Sequence, residues 1–273
     1  MKIFSPRTAW VTCFFLICSC SHQLAPAGHY QGEAITIDGN MNDWVLPLRF
    51  SNPDYTMHYS VTNDDKNIYI CLYSKNQAYQ KRMLKGGMSI YFDPKGEKNK
   101  ECALIYPVKK IADPADHTPG SPTYYSDYKT TIDQLLLQSD YYNTTGFVNM
   151  ENGQYDLKAT QTDIRLAIKL DADSNLVYEA SVPIRYIPGK NISPGTASGN
   201  FSVGIIVNSV TTNPGNRGYQ SHSSHGGSSM GGMHGMGGGR HYIPSNSTPQ
   251  KAEENWYTFR LTYKKPLTSS KGS

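Results

Sequence analysis

The sequence predicts an all-β protein in which two antiparallel sheets pack face to face. Polar and apolar residues alternate with a period of two in several runs, whereas helical periodicity is confined to two short segments. The 273 residues include 24 Gly, 16 Pro and 20 Tyr, a composition typical of strands and turns. One domain accounts for this length, because all-β domains often use about 200 to 250 residues.

Several classes of function are not favoured by the composition or the motifs. Lys and Arg number 26 and Asp and Glu 22, so the formal net charge is +4 and no nucleic-acid partner is expected. The chain has no G-x-S-x-G, H-E-x-x-H or P-loop motif and no thiol pair at redox spacing. An enzyme is therefore not predicted, although glycosidase carboxylates have no local motif and stay an alternative.

The N-terminus has the features of a bacterial export signal. A basic start precedes the apolar run Thr8–Cys18, which is too short to cross a bilayer. The following Ile17–Cys20 (ICSC) resembles the lipobox of bacterial lipoproteins, which implies cleavage before Cys20 and acylation of its sulfur. We therefore expect a signal peptide over 1–19, a tether over 20–32 and a lipid-anchored protein of the outer membrane. A plain signal peptide with coincidental cysteines is the alternative.

The clearest predicted hairpin lies in the second half of the chain. Apolar residues occupy alternate positions in Asp163–Leu170 and again in Leu176–Val182. Asp171–Asn175 (DADSN) between them is typical of a turn. The pattern predicts two antiparallel strands, each with one face in the core.

A second predicted hairpin joins Met57–Thr62 to Ile68–Tyr73 through the turn Asn63–Asn67. The strand Ile68–Tyr73 is apolar on both faces, which indicates a central position in its sheet. The remaining predicted strands are Met88–Phe92, Cys102–Tyr106, Phe201–Val210 and Tyr257–Tyr263. The two predicted short helices are Gln77–Lys85 and Ile132–Gln138.

The predicted domain covers 33–265 and is followed by a tail, 266–273. Within the domain, 213–241 holds ten Gly, four His and three Met but no Val, Ile, Leu or Phe. Such a segment has nothing to bury, so we expect a disordered insertion between two strands. Cys71 and Cys102 lie in predicted strands, and the sequence leaves open whether they form a disulfide or are small buried hydrophobic residues.

The order of five motifs gives the chain a resemblance to a known family. The motifs are Ile35–Trp44 (ITIDGNMNDW), Asn67–Tyr73, Met88–Asp93 (MSIYFD), Val177–Pro183 (VYEASVP) and Trp256–Leu261 (WYTFRL). Together they resemble the family 9 carbohydrate-binding modules and the related DOMON-like sandwiches. The resemblance implies an immunoglobulin-like sandwich that binds a ligand without catalysis.

The candidate sugar-binding residues follow from aromatic positions near the C-terminus. If Tyr257 and its alternate neighbours face the core, Trp256 and Arg260 point outward, where a flat indole can pack against a pyranose. Sugar-binding family members place the ligand between two tryptophans, but Trp44 is expected to be structural. The candidates for the second aromatic residue are Tyr124, Tyr125 and Tyr128.

Two segments suggest metal ligands. Asp38, Asn40 and Asn42 alternate as in the opening of a calcium loop, but Asp43 and Arg49 depart from that pattern and a tight turn is preferred. In the glycine-rich insertion, imidazole and thioether groups suit copper(I). These candidate copper ligands are His222, His225, Met230, Met233, His234 and Met236.

The sequence as a whole predicts a non-catalytic, carbohydrate-binding lipoprotein that needs no cofactor, with calcium as an option. Its expected partners are a glycan, the membrane and an envelope enzyme or transporter. A copper-handling protein of the periplasm and a structural lipoprotein without a small ligand are the alternatives.

Overall fold

The computed structural model of the chain describes residues 24–111, 130–159, 162–189, 199–210 and 252–264. Its strands are β1 (Phe50–Ser51), β2 (His58–Asn63), β3 (Asn67–Ser74), β4 (Met88–Asp93), β5 (Ala103–Val108), β6 (Tyr141–Thr145), β7 (Gly153–Asp156), β8 (Arg165–Leu170), β9 (Leu176–Pro183), β10 (Phe201–Val207) and β11 (Glu253–Phe259). Its helices are α1 (Gln77–Gly86), α2 (Ile132–Leu136) and the 3-10 turns Met41–Asp43 and Ile184–Tyr186. Within these ranges no helix is long and apolar enough to cross a bilayer.

The strands form two antiparallel sheets that enclose one main core, as predicted. The five-stranded sheet has the order β1-β2-β3-β9-β8, and the six-stranded sheet has the order β11-β10-β4-β5-β6-β7. Inward-facing residues of both sheets belong to a single buried cluster. Tyr106 of β5 and Tyr178 of β9 meet across this core, with ring centroids 5.6 Å apart. The all-β sandwich is therefore confirmed.

Both predicted hairpins form. β8 pairs with β9 around the turn, and Leu170 faces Leu176 at its base. β3 lies between β2 and β9, which explains why its side chains are apolar on both faces.

The main differences from the predicted strands are at the sheet edges. β11 begins at Glu253, four residues before the predicted start, so Trp256 lies well inside the strand. β1, β6 and β7 were not predicted. β6 reads YYNTT and has no apolar alternation, because the side chains that it buries in the core are those of Tyr142 and Thr144.

The segment predicted as a tether, 20–32, is bonded to the sandwich over its second half. Gly28 N–H donates to the Arg260 carbonyl at 2.8 Å, and Gln31 N–H donates to the Asn63 carbonyl at 2.7 Å. These bonds connect the segment to the end of β11 in one sheet and to the end of β2 in the other. Periodicity gave no sign of this docking, because backbone groups make the contacts. We call residues 25–31 the strap.

The two described cysteines are free thiols that lie in separate clusters. Cys71 belongs to a small cluster with Trp44 on the outer face of the five-stranded sheet, whereas Cys102 lies in the main core. Burial raises the pKa of Cys71 well above its ordinary value and that of Cys102 to about 12. Both behave as small buried hydrophobic residues, the second of the two alternatives.

Candidate functional site

Trp256 lies on the outer face of the six-stranded sheet. Its partner across the β10–β11 pair is Gly204, and a Cβ atom added to this glycine would lie 2.7 Å from the indole ring. The indole therefore lies against the backbone of β10. On the other side of Gly204, Tyr91 of β4 stacks with Trp256, with ring centroids 6.2 Å apart and planes inclined by 25°. The two rings together form an aromatic surface across three strands.

An ion pair borders this aromatic surface. Lys100 Nζ is 2.7 Å from Glu254 Oε1 and 5.8 Å from the centroid of the Tyr91 ring. Glu254 Oε2 accepts a 3.4 Å hydrogen bond from Trp256 Nε1. Exposed ion pairs contribute little to stability. The consequence of this pair is local, because it balances the charge of Glu254 and fixes the carboxylate beside the indole.

An open groove of about 510 Å³ lies next to Trp256, where β1 and β11 form neighbouring edges of the two sheets. Aromatic and polar side chains both line it. The aromatic ones are Phe50, Tyr55, Tyr59 and Trp256, and the polar ones include Arg49, Glu254 and Asn255. The volume is in the range of small-molecule sites, and such sites combine apolar surface with a few polar groups.

Phe50 closes the edge of the sandwich beneath the groove. Its ring centroid is 4.4 Å from that of Tyr257 and 5.3 Å from that of Tyr59, so it joins the two sheets. Burial raises the pKa of both tyrosines above the ordinary value, so their phenols stay neutral at physiological pH. The floor of the groove therefore consists of packed aromatic rings without charge.

Tyr55 extends from the turn that joins β1 to β2, and 76% of its surface is exposed. Its φ is 54°, a left-handed conformation that is uncommon for a bulky residue and is often found at functional sites. Asn52 holds the turn: its Oδ1 accepts from Met57 N–H at 2.9 Å and its Nδ2 donates to Thr56 Oγ1 at 2.8 Å. An anchored turn thus presents an aromatic ring to solvent at the groove.

Two polar side chains that line the groove have hydrogen-bonding groups that no described residue uses. Arg49 is exposed and has no ion-pair partner within the described ranges. Asn255 is 7% exposed, and its Nδ2 has no hydrogen-bond partner among the described residues. An unsatisfied buried amide costs free energy, and an acceptor that reaches this nitrogen would recover that cost.

The structure separates Arg260 from the groove. It lies on the same face of the chain as Trp256, but four residues further on, and its Nε donates to the Ala25 carbonyl of the strap at 2.8 Å. Tyr124, Tyr125, Tyr128 and Cys20 lie outside the described residues. The same is true of the candidate copper ligands, all of which fall within 213–241.

The candidate calcium residues form a turn around a buried carboxylate. Asp38 Oδ1 accepts from Asn40 N–H at 2.9 Å, and Asn40 Oδ1 accepts from Asn42 N–H at 3.2 Å. Glu179 Oε2 accepts from three successive backbone N–H groups of the turn, at 2.6 to 3.2 Å. Within the ranges that the structure describes, no three His, Cys, Asp or Glu side chains form a group suited to a metal ion. The side-chain oxygens of Asp38 and Asn40 accept backbone hydrogen bonds and thereby stabilise the turn.

Trp44 completes the same arrangement. It is 8% exposed, and its Nε1 donates to Glu179 Oε1 at 2.7 Å. Burial raises the pKa of Glu179, and the hydrogen bonds from Trp44 and the turn oppose that rise. Alternation along β9 places Glu179 on the face opposite the core, but it is completely buried because the N-terminal turn covers it.

Sequence reasoning did not find Tyr55 and Arg49. The available signal was the turn sequence Asn52-Pro53-Asp54, which is typical of a reversal and would expose the residue that follows it. β1 has only two residues, so no alternation identified a strand there or placed it beside β11.

Comparison with known proteins gave one distant structural likeness to report. No family model matches the chain, and no curated protein matches it. A family 9 carbohydrate-binding module from Caldicellulosiruptor kristjanssonii, solved in complex with glucose, is similar over 66% of this chain and 75% of its own, with 12% sequence identity and a TM-score of 0.32. A likeness at this level carries no argument about function.

Proposed function

We propose that the protein is a non-catalytic carbohydrate-binding lipoprotein of the bacterial envelope, and that it binds saccharide in the groove between Tyr55 and Trp256. The observation that carries the proposal is the composition of that groove. An exposed ring from the five-stranded sheet and a ring held against the six-stranded sheet line the same open depression. The C–H face of a pyranose packs against such rings, and its hydroxyl groups require polar neighbours such as Asn255 and Glu254.

The proposed address is the outer membrane, through lipid on Cys20. This part of the proposal depends on the lipobox resemblance of the sequence. Two or three acyl chains, at about 0.8 kcal/mol per buried methylene, anchor a protein stably without a spanning helix. A protein held in this way presents its bound glycan to neighbouring envelope enzymes or transporters. Labelling with a palmitate analogue tests the anchor: incorporation should occur in the native protein and be absent from Cys20→Ala.

Calorimetric titration with a panel of neutral and acidic oligosaccharides tests the binding site. Trp256→Ala should weaken the best ligand at least about tenfold, because buried aromatic anchors dominate affinity at such sites. Tyr55→Gly should do the same without backbone strain, since glycine accepts the positive φ at this position. Tyr141→Ala, which removes an aromatic residue from β6 several strands away from β11, is the matched control.

Gly204→Ala is a finer test because it replaces no side chain that lines the groove. The added methyl group would lie 2.7 Å from the indole, a distance that forces the ring to move. Saccharide affinity should therefore fall, while Gly199→Ala, whose new methyl meets nothing within 4 Å, should leave it unchanged. If the folded protein binds no saccharide of the panel, or if Trp256→Ala binds as tightly as the native protein, the proposal is wrong.

A further inference from the structure

Arg49 gives the groove a positive charge without a counter-ion in the described ranges. The residue comes immediately before β1, and its backbone N–H donates to Ser60 Oγ at 2.9 Å, which fixes its position beside the groove. The positive charge of its guanidinium opposes the rise in the pKa of Tyr257 that burial causes. An exposed arginine with its donors available is a ready partner for an anion.

The carboxylate that lines the groove together with this arginine is already balanced. Glu254 also lines the groove, but Lys100 Nζ lies 2.7 Å from its Oε1. The side chains that line the groove, taken with Lys100, therefore carry one positive charge in excess. A neutral sugar makes no use of that charge, whereas an anionic sugar does.

Asn255 adds an uncharged donor to the same lining. Its Nδ2 is buried and has no acceptor among the described residues, so the groove combines an unsatisfied amide with an unpaired guanidinium. Both groups favour a ligand that is rich in acceptor oxygens. A carboxylate has the planar, two-oxygen geometry that a guanidinium binds through two parallel hydrogen bonds.

The geometry points to an acidic saccharide as the ligand, one whose uronic carboxylate pairs with Arg49 while its ring packs against Trp256 and Tyr55. The inference rests on the proposed function, because it assigns a ligand class to the same groove. A sulfated sugar shares the anionic chemistry, but its tetrahedral group matches the guanidinium plane less well.

The test compares trigalacturonate with galactotriose, which has the same sugar ring and no carboxylates, by calorimetry on the native protein. We expect trigalacturonate to bind about tenfold more tightly or better, with a preference that falls as salt is added. Arg49→Gln should bring the two affinities to within about twofold of each other. Arg165→Gln removes the same charge from β8, at the opposite edge of the five-stranded sheet, and should leave the preference intact.

The outcomes separate the two proposals. Equal binding of both trisaccharides, unaffected by Arg49→Gln, would overturn the acidic ligand and leave saccharide binding standing. Binding of trigalacturonate that survives Trp256→Ala would overturn the inference by placing the ligand elsewhere, and tighter binding of a sulfated galactose trisaccharide would reject the carboxylate. Failure of the folded protein to bind any saccharide would reject both proposals.

Discussion

Glu179→Ala is expected to destabilise the protein by several kcal/mol, although the residue lies on the face of β9 that faces away from the main core. The carboxylate accepts hydrogen bonds from three backbone N–H groups of the N-terminal turn and from Trp44 Nε1. In the variant, Asn40 N–H keeps its bond to Asp38 Oδ1 and the part-buried Asp38 N–H turns to water, but Gly39 N–H and Trp44 Nε1 lose buried acceptors. Each such loss costs about 1 to 3 kcal/mol.

The two losses add to about 2 to 6 kcal/mol, and the variant no longer has to bury a charge, which offsets part of the cost. We therefore expect a net loss of about 1 to 4 kcal/mol in the free energy of unfolding. Trp44→Phe removes one of the four hydrogen bonds to the same carboxylate together with part of a buried ring, so it should also destabilise the protein. Glu33→Ala, an exposed glutamate in the same segment, is the matched control and should change stability by less than about 0.5 kcal/mol.

Urea denaturation followed by far-UV circular dichroism measures these differences, because a stability change moves the midpoint and leaves the slope unchanged. Dichroism is preferred to fluorescence, since Trp44 is itself replaced in one variant. If Glu179→Ala costs no more than Glu33→Ala, the buried carboxylate does not hold the turn and the account of this end of the fold fails.

Three further predictions concern the strap, the thiols and pH. Gly28→Ala should destabilise the protein by about 1 to 3 kcal/mol, because the new Cβ would lie 2.5 Å from the ring of the last residue of β11, whereas Gly32→Ala, with nothing within 4 Å, should be neutral in the same urea assay. Cys71 and Cys102 should resist iodoacetamide at about pH 8 until the protein unfolds, because burial raises the pKa of both thiols. Peptide mass mapping measures the modification, and rapid modification of either thiol in the folded protein would contradict its burial. Burial raises the pKa of Glu179 above 4.5, so the folded state holds this proton more tightly than the unfolded state. The stability of the native protein relative to Glu179→Gln should therefore fall as pH rises from about 4.5 through the folded-state pKa. A relative stability that rises over this range would contradict the raised pKa.

Much of the fold could be predicted because side-chain alternation reflects burial directly. β8, β9, β2 and β3 each have at least one apolar face, and turn residues separate the paired strands. β6 buries Tyr142 and Thr144 on its core face, so its sequence YYNTT shows no alternation of apolar and polar residues. Alternation therefore identifies strands whose core face is aliphatic and misses a strand whose core face carries a tyrosine and a threonine.

The candidate site was only partly predictable because its parts come from distant positions in the chain. Alternation places Trp256 on the outer face of β11, and the structure has it there. Its neighbours Tyr55 and Arg49 are some 200 residues earlier in the sequence, and only the pairing of Phe50 with Tyr257 brings them to it. Glu179 shows the same limit, since a polar residue on an alternating strand indicates solvent unless another segment covers it.

The position of the strap has a consequence for how an anchored protein would face its surroundings. If lipid on Cys20 holds the chain, as proposed, Ala25 is bonded to the sandwich through Asn200, and the five steps from Cys20 to Ala25 reach about 18 Å at most. The strap joins β2 at Asn63 and β11 at Arg260, whereas Tyr55 precedes the opposite end of β2. A short connection at the strap end of the sandwich would therefore direct the aromatic groove away from the lipid headgroups and toward polymers in solution.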